Sequence, residues 1–334
     1  MEQQTLQRSA AAASKPRNEK LNWPLIPEGE GGFSQVWNPI CLSSDVEAGQ
    51  VKGYDFLDGK IVVFRGEDGV AQVLSAFCPH MGANLAKGDV KGNELRCAFH
   101  HWKFDRGGAC TEIRVGDPVP KSAKVFRFPT KEKYGLIWAF NGDEPLYDLP
   151  SFSENEDDLL FKTEFHSHIP HDPAIGVAGA FDMQHFWAVH EFEVDLAKHD
   201  KDFTFHDHHA HQKITATIIA DGSPVRWEVD VFGTNLIFME GTNDGLWHGH
   251  ISASCQRRPG ETEMFMITCV KKEVGREALE MIAGHHNHEA QKDVDLLETS
   301  RFNWGTVTRT DKALGKWLRY VRDYPRAHPS DGFI

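Results

Sequence analysis

The sequence predicts an α+β chain of two domains, an all-β N-terminal domain followed by an antiparallel sheet packed with long helices. Three observations carry this expectation. From Gln35 to about Phe140 the apolar runs are short, broken by turns and without helical periodicity. Beyond residue 210, several runs alternate polar and apolar residues over part of their length, as half-buried strands do. Near the end, 275–302 and 311–323 carry helical patterns, the first with an apolar stripe at helical spacing.

Residues 1–20 are polar and Ala/Ser-rich, lack the apolar stretch of a signal peptide, and read as a mobile tail. Residues 21–150 form the first expected domain. Ile61-Val62-Val63-Phe64 reads as a strand after Gly59. Val73-Leu74 and Leu95-Arg96 lead into two Cys/His loops. Tyr134 to Phe140 reads as a closing strand before the turn Asn141-Gly142. Pro145, Pro150 and the acidic run Glu154–Asp158 suggest a linker over 145–160. Residues 151–334 form the second domain, with strands expected at 213–220, 224–232, 235–240, 246–254 and 262–271. The alternation is clear in Trp227-Glu228-Val229-Asp230-Val231.

The first chemical signal lies in the two loops. Cys78-Pro79-His80 is followed, after sixteen intervening residues, by Cys97-Ala98-Phe99-His100. Two thiolates and two imidazoles in this order are the ligand set of a Rieske [2Fe–2S] cluster, the cysteines holding one iron and the histidines the other. Imidazole ligation raises the reduction potential to roughly −150 to +300 mV, against about −400 mV for an all-cysteine plant-type centre. A structural zinc site uses the same donors, but zinc fingers usually pair like with like, whereas this pattern interleaves them.

The 334-residue chain has a formal net charge of −13, which argues against general nucleic-acid binding, where Lys and Arg neutralise phosphates. No apolar run approaches the ~18 residues of a membrane span. Six scattered cysteines, two of them in the loops, make no disulfide framework and suit a reducing cytoplasm.

The second signal is Asp182-Met183-Gln184-His185, then four residues, then His190. A carboxylate added to the two imidazoles would complete the 2-His-1-carboxylate set that leaves open positions on Fe(II) for O2. On a regular helix, residues five apart point about 140° away from each other. A π-type turn, or a helix that ends before His190, is therefore expected. Asp182, three before His185, suits a hydrogen-bonding role beside the ligands better than ligation. The missing carboxylate is sought on the 275–302 helix, whose stripe runs Leu279, Ile282, Ala290 and Leu297, with His286 on the same line. Asp293 falls on that stripe, where a carboxylate is costly unless paired or metal-bound; Glu289 is the alternative, and Asp295 turns outward. Among the nineteen histidines, His206, His208, His209, His211, His285, His286 and His288 read as solvated or structural. His248 and His250 read equally as pocket-lining or as plain sheet-face residues.

Taken together, these motifs resemble those of the oxygenase component of Rieske non-haem iron oxygenases. Cys78/His80/Cys97/His100, Asp182/His185/His190 and Gln291-Lys292-Asp293-Val294 carry the resemblance over nearly the whole chain beyond residue 20. It implies a Rieske domain and a helix-grip catalytic domain in a ring-shaped homotrimer, with a [2Fe–2S] cluster and Fe(2+) as cofactors. It also implies that Asp182 bridges a cluster histidine of one protomer to an iron-binding histidine of the next. The chain resembles the shorter monooxygenase branch, fed by a ferredoxin and/or flavin-dependent reductase and acting with O2 on a small molecule. Ring cis-dihydroxylation would use the same ligands, and a non-catalytic electron carrier would keep only the cluster. Two departures stand out: His101 where the family often has Gly, and Ala178-Gly179 where it often has Asn.

Overall fold

Three strands of the N-terminal part are buried along most or all of their length. Leu136–Phe140 and Ala71–Ser75 are buried at every position, and Gly59–Arg65 over its last five. A computed structural model describes residues 25–195, 203–303 and 306–327, so the expected tail over 1–20 lies outside the described residues.

The N-terminal part is all β, as expected. Arg127–Phe128, Ala71–Ser75, Gly59–Arg65 and Val51–Phe56 form one antiparallel sheet, in that order. Thr130–Lys133, Leu136–Phe140 and Trp37–Leu42 form a second. A small meander of Asp89–Lys91, Glu94–Arg96, Lys103–Phe104 and Cys110–Glu112 carries the second Cys/His loop. Val62, Phe64, Leu74, Leu85, Leu95 and Phe104 fill the space beneath both loops, with Cys78 and Cys97 in the same cluster. All six cysteines are buried and free.

The C-terminal part is one eight-stranded antiparallel sheet. Its path runs Leu159–Ile169, Glu261–Lys271, Leu246–Arg258, Leu236–Asn243, Pro224–Phe232, His209–Ile218 and Phe192–Val194, with Thr204–Phe205 paired to His209–Ile218. The sequence reading missed its first strand: Leu159 and Leu160 fell in the expected linker, and the rest was unassigned. Two of its polar residues, Lys162 and Glu164, face the long helix above it. Lys162 pairs with Glu280 at 2.8 Å, and Asn287 donates to Glu164 at 2.6 Å. Arg276–Thr299 and Lys312–Asp323 are helices where helices were expected. The long helix packs Leu279 and Ile282 with Val270, and Val294 with Met264 and Met266. It therefore lies across the sheet as a lid.

Two features tie the halves together. Phe33–Ser34 pairs with Arg326–Ala327, so the last described residues return to the N-terminal part. The buried Arg257 donates to Glu263 at 2.7 Å, to the carbonyl of Ile40 at 2.6 Å and to that of Asp55 at 3.1 Å. It thus spans both parts with a satisfied buried charge. Removing one partner of such a pair strands the other. Arg257→Ala is expected to cost about 3 kcal/mol, measured as a lower urea midpoint with an unchanged slope.

Candidate metal centres

The two Cys/His loops share one backbone design. In each, the cysteine N–H donates to the carbonyl five residues on, Cys78 to Ala83 at 2.9 Å and Cys97 to Trp102 at 2.8 Å. In each, the N–H four residues on donates back, Gly82 to Cys78 at 2.9 Å and His101 to Cys97 at 3.0 Å. The residue at that fourth position is left-handed: Gly82 has φ +71° and His101 φ +59°. A glycine is the unstrained choice there. His101 fills the position at some cost, and its ring rests against the guanidinium of Arg114.

These loops present their donors as two pairs. The Cys78 thiol lies beside Cys97 in the buried floor. Burial pushes it up to about 11, the backbone N–H of His80 pulls it partly back, and Cys97 raises it again. His80 Nδ1 and His100 Nδ1 are 3.1 Å apart at the exposed tip, and the His80 ring stacks on Trp102 at 4.6 Å. Among the described residues, no three of these four donors gather within 4.8 Å of one another. A tetrahedral zinc would draw all four to within about 4 Å. A thiolate pair below and an imidazole pair above fit a two-iron cluster, one iron to each pair.

The second centre is built on a helix that stops early. Asp182 caps Met183–Ala188, its Oδ1 accepting from Gln184 N at 3.0 Å and His185 N at 3.2 Å. The helix ends at Ala188 and Glu191 is left-handed, φ +57°. His190 therefore lies past the helix end, one of the two expected irregularities, and its ring returns to within 4.5 Å of that of His185. Across from them, Asp293 Oδ1 lies 2.7 Å from His185 Nε2 and 3.4 Å from His190 Nε2. Donor atoms of His185, His190 and Asp293 lie within 4.8 Å of one another, so the three could hold one ion. Burial would raise the Asp293 carboxyl, but the two imidazoles outweigh it and hold it at about 2. Burial lowers the His190 ring, but Asp293 and Glu289 outweigh it and leave it raised.

Glu289, the alternative third ligand in sequence terms, has a different place. His190 Nδ1 donates to Glu289 Oε2 at 2.8 Å, and Lys292 donates to both Glu289 oxygens at 2.9 Å. Glu289 thus fixes the His190 tautomer and leaves Nε2 facing Asp293. Asp295 is exposed, as expected. Gly179 lies against His185: a Cβ there would come within 3.3 Å of the ring. Among the described residues, Asp182 accepts from the backbone of Gln184 and His185 and not from either imidazole.

An apolar cavity adjoins the triad, lined by Phe186, Phe192, Val229, Met239 and Met266 among others. His250 lines it while His248 is buried outside its lining, which divides a pair the sequence left undecided. His285 and His286 also line it, against the expectation for that helix. His206 and His209 stack on each other, and His211 pairs with Asp230 at 3.0 Å, all outside this lining.

A family model for the Rieske [2Fe-2S] domain matches residues 36–126. Over 189 residues the chain is 34% identical to a cholesterol 7-desaturase of Bombyx mori, covering 54% of this chain and 39% of that protein. Over 166 residues it is 32% identical to the oxygenase component of a 3-ketosteroid-9-alpha-monooxygenase of Rhodococcus rhodochrous, covering 47% and 44%. The matched stretches span less than half the length of these relatives. Solved structures share the fold over most of the chain. They include Pseudomonas putida NdmA with caffeine, at TM-score 0.69 and 20% identity over 86% of this chain and 90% of that one. They also include dicamba monooxygenase bound to dicamba, at TM-score 0.69 and 18% identity over 87% and 97%.

The Glu289 contact makes a checkable statement about metal affinity. Glu289→Ala is expected to weaken Fe(II) binding by about 10- to 100-fold in anaerobic titration. Glu289→Gln, which keeps an acceptor for His190, should lose less.

Proposed function

We propose that this chain, which carries a Rieske [2Fe–2S] domain and shares the fold of Rieske oxygenases, is the terminal oxygenase of a multi-component system. It inserts one atom of O2 into a small, largely apolar or aromatic molecule, by hydroxylation or oxidative dealkylation. The observation that carries this reading is the gathering of His185, His190 and Asp293 within 4.8 Å beside an apolar cavity, in a chain with a Rieske domain. Overall, substrate, O2, two electrons and two protons yield oxygenated substrate and water. The electrons come from a ferredoxin and/or flavin-dependent reductase.

When bound, the cluster supplies single electrons and a mononuclear Fe(2+) supplies O2 activation. Cys78 and Cys97 hold one cluster iron, and His80 and His100 the other. His185, His190 and Asp293 hold the mononuclear iron, and three protein donors leave positions open. Glu289 keeps the Nδ1 proton on His190. Phe186, Phe192 and Met239 keep bulk water from the reacting carbon.

Asp182 has two duties in this reading. One is the helix cap already described. The other is to bridge the iron site to a cluster histidine of a neighbouring protomer in a homotrimeric ring. The exposure of His80 and His100 and of the adjacent Met81 and Phe99, 66% and 60% exposed, suits a cluster that meets another polypeptide. The four remaining cysteines, Cys41, Cys110, Cys255 and Cys269, are buried thiols and suit a cytoplasmic setting.

Metal analysis and product isotope content test the reading. Three irons per chain are expected, whereas two would leave an electron carrier. One labelled oxygen from 18O2 is expected, in the hydroxylated product or in the aldehyde released on dealkylation, whereas two in one product would mean cis-dihydroxylation. Asp182→Asn keeps a good helix cap and removes the charge. It should retain both metal sites yet lose product formation coupled to cluster oxidation in a single turnover. Full coupled turnover in that variant would exclude the bridge.

A further inference from the structure

The cavity beside the triad has a volume of about 160 Å3. A cavity of similar size takes a benzene-sized guest, so at least one ring of a ligand fits within its walls. Strand register fixes what its sheet face offers. Trp227 pairs with Gly241, and Met239 with His250, so positions 227, 239, 243 and 250 share one face. Three of them bring a buried polar atom with no partner: Trp227 Nε1, Asn243 Oδ1 and His250 Nδ1. All three residues line the cavity. Buried polar atoms are rarely left unbonded, so three unpartnered ones on residues that line one apolar cavity lack a partner the protein does not supply.

Among them, His250 is the most firmly placed. It is 8% exposed, lies between Met239 and Thr268 on neighbouring strands, and is covered by the His286 ring at 4.5 Å. His286 is in turn held by Thr268 at 3.1 Å. Burial first, then neighbouring imidazoles, pushes His250 down to about 3 and His286 down as well, so both are neutral at physiological pH.

Charge narrows the choice of ligand. No Lys or Arg is among the described residues lining the cavity, whose acidic groups are Asp293 and Glu289. Lys292 nearby is already bonded to both oxygens of Glu289. Apart from the iron that His185, His190 and Asp293 would hold, a carboxylate entering here would lose its water without gaining a cation.

We propose that the cavity selects uncharged substrates, seats their neutral polar group, a ketone or hydroxyl oxygen, against His250, and rejects carboxylates. Trp227 offers a second donor and Asn243 an acceptor on the same face. The inference rests on the reading of this cavity as the substrate site of an oxygenase, and it fixes the class of molecule that site takes.

The test is equilibrium binding to the iron-loaded, anaerobic protein, read by quenching of tryptophan fluorescence. The probes share one skeleton: phenylcyclohexane, 4-phenylcyclohexanone, 4-phenylcyclohexanol and 4-phenylcyclohexanecarboxylate. The ketone and alcohol should bind about fivefold tighter than the hydrocarbon, the worth of one hydrogen bond. The carboxylate should bind at least about tenfold weaker than the ketone. His250→Phe should abolish the ketone's advantage over the hydrocarbon, and His250→Gln, which can still donate, should retain part of it. Carboxylate binding equal to that of the ketone, a ketone advantage untouched by His250→Phe, or no binding by any probe would overturn the proposal. The charge comparison uses the unaltered protein, so it stands even if a variant fails to fold. Failure of the oxygenase reading would show instead in iron count and product, which these ratios do not measure.

Discussion

One carboxylate facing two imidazoles organises the C-terminal half. Asp293 projects from the inner side of Arg276–Thr299, where an unpaired charge would be costly. It is tolerable because His185 and His190 stand opposite, and they stand there because the short helix stops before His190. The long helix must therefore lie across the sheet at the height that meets those rings. That placement closes the apolar cavity between helix and sheet. Packing of Val294 on Met264 and Met266 on one side, and of Leu279 and Ile282 on Val270 on the other, holds it there.

Much of this was legible in the chain because ligand spacing is a short-range property. The two Cys/His loops were read from their own residues, and a five-residue gap between histidines required a break in the helix. Asp293 could be preferred over Glu289 because a helical stripe distinguishes inward from outward positions. Its neighbour Glu289, also turned inward, serves a histidine instead. What could not be read were pairings between distant segments. The strand Leu159–Ile169 looked polar because its partners, Glu280 and Asn287, lie more than 100 residues away on the long helix. His250 could not be separated from His248 because both alternate on the same strand. His286 packs on both rings, at 5.1 and 4.5 Å, and only the extent of the cavity divides them.

The two departures from the family pattern now have structural meaning. At 101 the backbone is left-handed, as at Gly82 in the companion loop, so glycine is the natural occupant and histidine a strained one that leans on Arg114. At 179 the absence of a side chain lets the backbone approach the His185 ring, in space a larger residue would contest. One departure places a side chain beside the exposed His100; the other leaves space beside the half-buried His185.

The twin loops hold their donor side chains through the main chain. Each turn is closed by two main-chain hydrogen bonds and seated on a filled apolar floor, neither of which involves a metal. Small zinc modules, by contrast, gain their fold from the ion they capture. In these loops the main-chain turns and the packing of Val62, Phe64 and Leu95 set where the two thiols and the two imidazoles stand.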